Sequence, residues 1–151
     1  MKRILLLLIT ITLLLVATAC NGYNLIMREH LCNENNYYNV EATFCSYNEA
    51  GDRIWLYVSV EDKSAFDSSE KNSEEIRLEL VGDNCNVLNE ALAKENLQAG
   101  DRITVKCSTW IYMDSTFYYI AELKTQTQTL LSFEDGLKNI KNYVNSHKSL
   151  F

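Results

Sequence analysis

From residue 40 onward, apolar and polar residues alternate. Val40, Ala42 and Phe44 alternate with Glu41, Thr43 and Cys45, and Ile54, Leu56, Val58 and Val60 alternate with Trp55, Tyr57 and Ser59. A period of two sends one set of side chains to a core and the other away from it, so both runs predict half-buried strands. Asn48-Glu49-Ala50-Gly51-Asp52 predicts the turn between them. Glu61 to Glu75 is polar and charged and reads as an exposed, solvated connection, and Ile76-Arg77-Leu78-Glu79-Leu80 reads as a third strand. After Gly82-Asp83-Asn84-Cys85 the period changes. Leu88, Ala91, Leu92 and Glu95 recur at helical spacing, with Asn86 as the expected N-cap and Ala99-Gly100-Asp101 ending the helix and turning the chain.

Alternation returns at Ile103, Val105 and Cys107, and again between Phe117 and Leu123; Thr125 to Leu131 is a candidate sixth strand. Phe133, Leu137, Ile140 and Val144 then form one helical stripe, with Ser132 and Asp135 spaced as a capping-box variant. That last helix is expected to lie on the sheet.

The first residues follow a different rule. Met1-Lys2-Arg3 precedes an apolar run from Ile4 to Val16, then small residues at Ala17, Thr18 and Ala19, then Cys20. A charged start, an apolar stretch too short for a comfortable bilayer crossing and a small-residue cleavage site describe an export leader. Val16-Ala17-Thr18-Ala19-Cys20 resembles the lipobox of bacterial lipoproteins, with Ala17 where that family usually carries leucine. The resemblance implies cleavage before Cys20, a lipid on its thiol, and an extracytoplasmic domain anchored to a bacterial membrane. The expected organisation is a leader over 1–19, the lipidated cysteine and an N-terminal segment over 20–38, and one domain over 39–151.

Within that domain, Val87-Leu88-Asn89-Glu90-Ala91-Leu92 followed by Leu97 to Lys106 with its Gly100-Asp101 pair resembles the segment joining strands three and four of OB-fold domains. It is similar in particular to the anticodon-binding-like OB domains of exported bacterial proteins. The resemblance spans about residues 39–124 and implies a mainly β, five- or six-stranded barrel with an interior short helix, to which the C-terminal amphipathic helix is added. The rival is another small α+β sheet built from the same elements.

Composition narrows the function classes. The net charge is −6, and loss of Lys2 and Arg3 with the leader makes the remainder more acidic still. An acidic surface repels phosphate backbones, so no nucleic-acid partner is expected. His30 and His147 are the only histidines, both expected at the surface, and no Cys-x-x-Cys, glycine-rich phosphate loop or calcium loop occurs. No catalytic residue, cofactor or metal is therefore expected. Cys32, Cys45, Cys85 and Cys107 remain once Cys20 is set aside, an even number suited to two disulfides in an exported domain. Chain proximity favours Cys32–Cys45 and Cys85–Cys107.

Aromatic residues supply the candidate ligand face. OB folds bind on strands two and three, between the loops joining strands one to two and four to five. Those positions correspond here to Trp55 and Tyr57, to a loop over Tyr47 to Asp52, and to a loop over Trp110 to Thr116 bearing Trp110, Tyr112 and Asp114. The expected function is a non-catalytic envelope module binding a peptide, glycan or protein. A structural or assembly lipoprotein is the alternative, and a small envelope hydrolase a distant one.

Overall fold

A computed structural model describes Ile9, Thr12 and residues 25–68, 70–112 and 114–146. Helical residues 25–32 (α1) and a 3-10 turn lead into β1 (Tyr37–Ala50) and β2 (Arg53–Ser59). There follow β3 (Ile76–Val81), α2 (Asn84–Ala93), β4 (Arg102–Tyr112), β5 (Ser115–Thr125), β6 (Thr129–Leu131) and α3 (Phe133–Ser146). The sheet order is β3-β2-β1-β4-β5-β6, and a parallel pairing of Glu79 with Tyr119 joins β3 to β5 and closes the ring. The fold is mainly β, an OB-type barrel of antiparallel strands with α2 between β3 and β4.

β1 makes closure possible because it serves two neighbours. Tyr37 to Thr43 pairs with β4, Thr43 to Ala50 pairs with β2, and a bulge between Phe44 and Ser46 bends the strand where its partners change. An extra residue on one strand increases local twist, which a small barrel needs at its corners. The residue in the bulge is Cys45.

The period-two residues of all five long strands meet inside: Val40, Phe44, Leu56, Leu78, Val105 and Ile120 are among them. Leu88 of α2 joins them, and Leu97 follows. Burying each such side chain contributes about 1.5–3 kcal/mol. A second apolar cluster lies outside the barrel. There Met27 and Leu31 of α1 and Leu137, Ile140 and Tyr143 of α3 cover Tyr119 and Ala121 of β5. The N-terminal segment is thus part of the packed body, whereas Leu25 and Ile26 stay exposed.

The α3 capping box forms. The Asp135 amide donates to Ser132 Oγ at 3.2 Å, and Ser132 Oγ donates to Asp135 Oδ2 at 2.6 Å. Gly100 adopts φ +96°, and Asp101 Oδ2 accepts from the Gln98 amide at 2.8 Å. The turn also docks on β1, since Gly100 N donates to Phe44 O at 2.8 Å and Phe44 N to Asp101 O at 2.9 Å.

Four expectations are corrected. Helix α2 begins at Asn84, so Asn86 lies in its first turn rather than capping it. Asn84 itself is buried, donating Nδ2 to Gly136 O at 3.2 Å and accepting from Asn139 Nδ2 at 2.9 Å, and so it ties α2 to α3. That helix stops at Ala93, with Glu95 in the left-handed region at φ +56°, before the Gly100 turn. The connection between β2 and β3 is not wholly solvated: Phe66 is 4% exposed and packs edge-on to Tyr118 at 5.0 Å.

The fourth correction is the disulfides: Cys32, Cys45, Cys85 and Cys107 are all free. Cys32 adjoins Tyr37 at the start of β1. Cys45 adjoins Ser59 and Glu75, and from Tyr37 to Cys45 the strand path is roughly 25 Å. Bridging needs Cα atoms within about 7 Å. Cys85 sits against the Leu80 carbonyl at 3.3 Å, and Cys107 is sealed in the barrel. Burial pushes the Cys85 thiol up to about 11 and the Cys107 thiol up to about 12, which keeps both protonated and poor in the thiolate that exchange requires. An even cysteine count therefore carries no weight for export.

Candidate binding face

Alternation along β2 turns Ile54, Leu56 and Val58 inward and leaves Arg53, Trp55 and Tyr57 on the outer surface. On β3, Ile76, Leu78 and Leu80 point inward and Arg77 and Glu79 outward. Antiparallel register sets Trp55 against Glu79 and Tyr57 against Arg77. Directly opposed side chains have Cβ atoms about 5 Å apart, so these four form one contiguous group.

The Arg77 guanidinium lies over the Trp55 ring, 5.0 Å from its centroid, and its Nη2 is 3.8 Å from Glu79 Oε1. Arg53 approaches from the other side. Its Nη1 is 3.8 Å from Glu79 Oε2, while its Nε donates to Tyr143 Oη at 3.2 Å. Glu79 is 1% exposed, yet its Oε2 has no hydrogen-bond partner among the described residues, and neither has the buried Nε1–H of Trp55. The ion pairs are too long to be hydrogen bonds.

Burial raises the Glu79 carboxyl above the ordinary range, and the two arginines offset part of that rise. The folded chain therefore holds this proton more readily than the unfolded chain. Between the ordinary and the raised value, the stability contributed by Glu79 is present at the lower pH and is lost as pH climbs. Relative to Glu79→Gln, which does not titrate, the wild-type protein is expected to gain thermal stability as pH falls from neutrality towards the ordinary carboxylate range. Unfolding midpoints of both proteins across that range check it; a gap that stays constant refutes it.

The structure splits the predicted aromatic face. Trp55 and Tyr57 stand together, both half-buried. Trp110 and Tyr112 lie on β4, separated from β2 by β1 on one side and by β5 and β3 on the other. Trp110 packs on the outer apolar cluster and against His30, ring centroids 5.4 Å apart. Asp114 is exposed in the β4–β5 turn. The two predicted loops are mostly strand: β1 runs to Ala50 and β4 to Tyr112, leaving tight turns at the hairpin ends. The sequence reading missed Arg53 and Tyr143 and gave Glu79 only as a residue of the third strand. A polar residue at one of β3's outward positions carries no sign that α3 and the arginines bury it.

Two other places invite chemistry. His30 is not the surface residue expected: its Nε2 lies 3.2 Å from Ser108 Oγ and its Nδ1 3.2 Å from Asn36 Nδ2. A serine, a histidine and an asparagine in line resemble a nucleophile, a base and its orienter. The asparagine, however, presents its donor nitrogen, which also serves the His30 carbonyl at 2.9 Å. Nδ1 must then accept, so Nε2 carries the proton and cannot take one from Ser108. Ser108 is also fully buried. The second place is a groove of about 380 Å³ lined by Asn39, Glu41, Thr43, Asp62, Ser64 and Arg102 where β1 changes partners. Its Glu41 already accepts from Thr104 Oγ1 at 2.9 Å, and the Ser64 amide holds the exposed Asp62 carboxyl below the usual range. Among the described residues no group of acidic, histidine or cysteine side chains could hold a metal ion. Cys20 and His147 lie outside the described residues.

No family model matches the chain, and no curated protein matches it. Among solved structures it is similar to a Replication Protein A heterotrimer bound to ssDNA, at 7% identity and a TM-score of 0.39, covering 74% of this chain and 71% of that one. It is also similar to the S. pombe Stn1–Ten1 complex, at 9% identity and a TM-score of 0.41, covering 76% and 72%. The exclusion of nucleic acid drawn from net charge does not stand. The physical fault in that exclusion is visible on β2 and β3. Net charge sums the whole surface, whereas here Arg53 and Arg77 balance Glu79 and Asp52, so this face carries no acidic excess. What identity this gives is one of fold: an OB-type barrel, six-stranded, with an outer helical layer.

Proposed function

We propose that this chain is an exported lipoprotein, cleaved before Cys20 and held on the outer face of a bacterial membrane by lipid on that residue. We further propose that its barrel is a non-catalytic module binding an envelope peptide, glycan or protein on the outer face of β2 and β3. The charged start, short apolar run and Val16-Ala17-Thr18-Ala19-Cys20 support the anchor. One observation carries the binding face. The helices cover the outer surface of β5, but Trp55 and Tyr57 belong to neither apolar cluster and remain half-exposed beside Arg77. Large rings left partly open next to charged groups are what a recognition surface uses. The non-catalytic part is favoured by the sealed Ser108, by the tautomer of His30, and by arginines rather than a second carboxylate beside Glu79.

The anchor is tested by Cys20→Ser in the full chain. Metabolic fatty-acid labelling is expected to vanish, with uncleaved precursor accumulating or soluble protein released, while the wild type partitions into detergent. Labelling that persists in the variant rules out Cys20 as the lipid site.

A further inference from the structure

Glu79 and Trp55 present an unusual pair of unanswered groups. The carboxylate is 1% exposed with an acceptor oxygen lacking a hydrogen bond, and the indole opposite it in the β2–β3 register has a buried N–H lacking one. A buried polar group without a partner is costly, and native proteins keep few of them. The two lie on facing positions of one strand pair, on the face assigned above to recognition.

We propose that this pair is a subsite for a hydroxyl of a neutral saccharide, whose ring stacks on Trp55. The proposal rests on the reading of β2 and β3 as the binding face and names the ligand class for it. The chemistry selects by elimination. A bound group must accept from the indole N–H and donate to the Glu79 carboxylate. An ammonium or guanidinium only donates, leaving the indole unanswered. A carboxylate or phosphate only accepts and would oppose Glu79. A hydroxyl does both at a single oxygen. An amide does both only with two atoms set at the spacing of these two groups.

The surroundings suit a sugar. The ring faces of Trp55 and Tyr57 offer apolar surface for the C–H face of a pyranose. Arg77 is the part that moves: it is 39% exposed, lies over Trp55 and is held to Glu79 only at 3.8 Å. Swung aside, it opens the Trp55 ring face and the Oε1 side of Glu79 and turns its donors towards the remaining hydroxyls. Arg53 stays, because Tyr143 of α3 holds its Nε.

The indole N–H is its own reporter. In ¹H–¹⁵N spectra of the barrel expressed with the whole chain beyond Cys20, the two tryptophans of the protein give two indole resonances, assigned with Trp110→Phe. Titration with chitotetraose, cellotetraose and maltotetraose into the millimolar range is expected to move the Trp55 indole resonance saturably for at least one sugar, leaving Trp110 in place. Trp55→Phe keeps a ring but loses the donor, and Glu79→Gln keeps the shape but loses the charge. Each is expected to weaken that sugar about tenfold by calorimetry with the fold intact by near-ultraviolet circular dichroism. Equal affinity in both variants removes the subsite. The control ligand is an asparagine-rich peptide. If it moves the Trp55 resonance and no sugar does, the saccharide assignment fails while the binding face stands. If neither sugar nor peptide moves it, the saccharide assignment fails and the binding face loses its support with it.

Discussion

Gly136→Ala is expected to destabilise the protein by about 3 kcal/mol and to lower its unfolding midpoint by roughly 10 °C. Helix propensity alone predicts the opposite sign, because alanine in a helix is favoured over glycine by about 1 kcal/mol. The packing decides. Gly136 lies in the first turn of α3, and a Cβ there would sit 2.6 Å from the carbonyl carbon of Ala121 and closer still to its oxygen. The obstacle is backbone of β5, so neither a rotamer change nor a side-chain shift relieves it; the helix must lift. Lifting also breaks the bond from Asn84 Nδ2 to the Gly136 carbonyl and draws Tyr143 away from Arg53. The variant should therefore lose order at the Glu79 cluster as well as stability, visible as broadening of the Trp55 indole resonance. Calorimetric unfolding supplies the deciding sign: a more stable Gly136→Ala means that α3 does not rest on Ala121.

The close seat of α3 was not legible in the sequence, and the reason is general. Its stripe of Leu137, Ile140 and Val144 and its Ser132–Asp135 cap are local patterns, and both describe the helix as it stands. How near the helix comes to the sheet depends on a glycine whose partner is an alanine fifteen positions earlier, and no local period encodes that. The same division runs through the barrel. Strands β1 to β5 follow from alternation because burial on one face is a local requirement repeated every second residue. The bulge at Cys45 that bends β1 leaves no mark in that alternation.

The candidate face was half legible for the same reason. Trp55 and Tyr57 were placed outside by their opposition to Ile54, Leu56 and Val58, and they are outside. Trp110 and Tyr112 were placed beside them by analogy of loops. Strand order instead puts β4 away from β2, and Trp110 serves the outer core. The disulfides failed on geometry of the same non-local kind. Parity of cysteines is a count, whereas bridging depends on where a curved sheet sets each thiol, and here it joins no two of them.

Phe66→Ala is expected to cost about 3–4 kcal/mol, the largest loss from any residue of the β2–β3 connection. Phe66 sits among small and polar neighbours, Ser64, Ala65, Asp67 and Ser68, and so reads as part of a solvated loop. In the fold it closes the barrel, packed at 5.0 Å and 65° against Tyr118, whose hydroxyl accepts from the Asp67 amide at 3.0 Å. Thr116 Oγ1 donates to Asp67 Oδ2 at 2.9 Å, so Asp67 pins the loop to β5 at both Thr116 and Tyr118. Truncation to alanine removes the ring contact and opens a cavity beside Val60 and Ile76, which share that core. The neighbouring Ser64→Ala changes an exposed side chain and is expected to stay within about 0.5 kcal/mol of wild type. Denaturant unfolding of the pair separates the two pictures of this loop. A solvated connection predicts two small and similar effects, whereas a barrel plug predicts a large one at Phe66 alone, with faster proteolysis between residues 61 and 75.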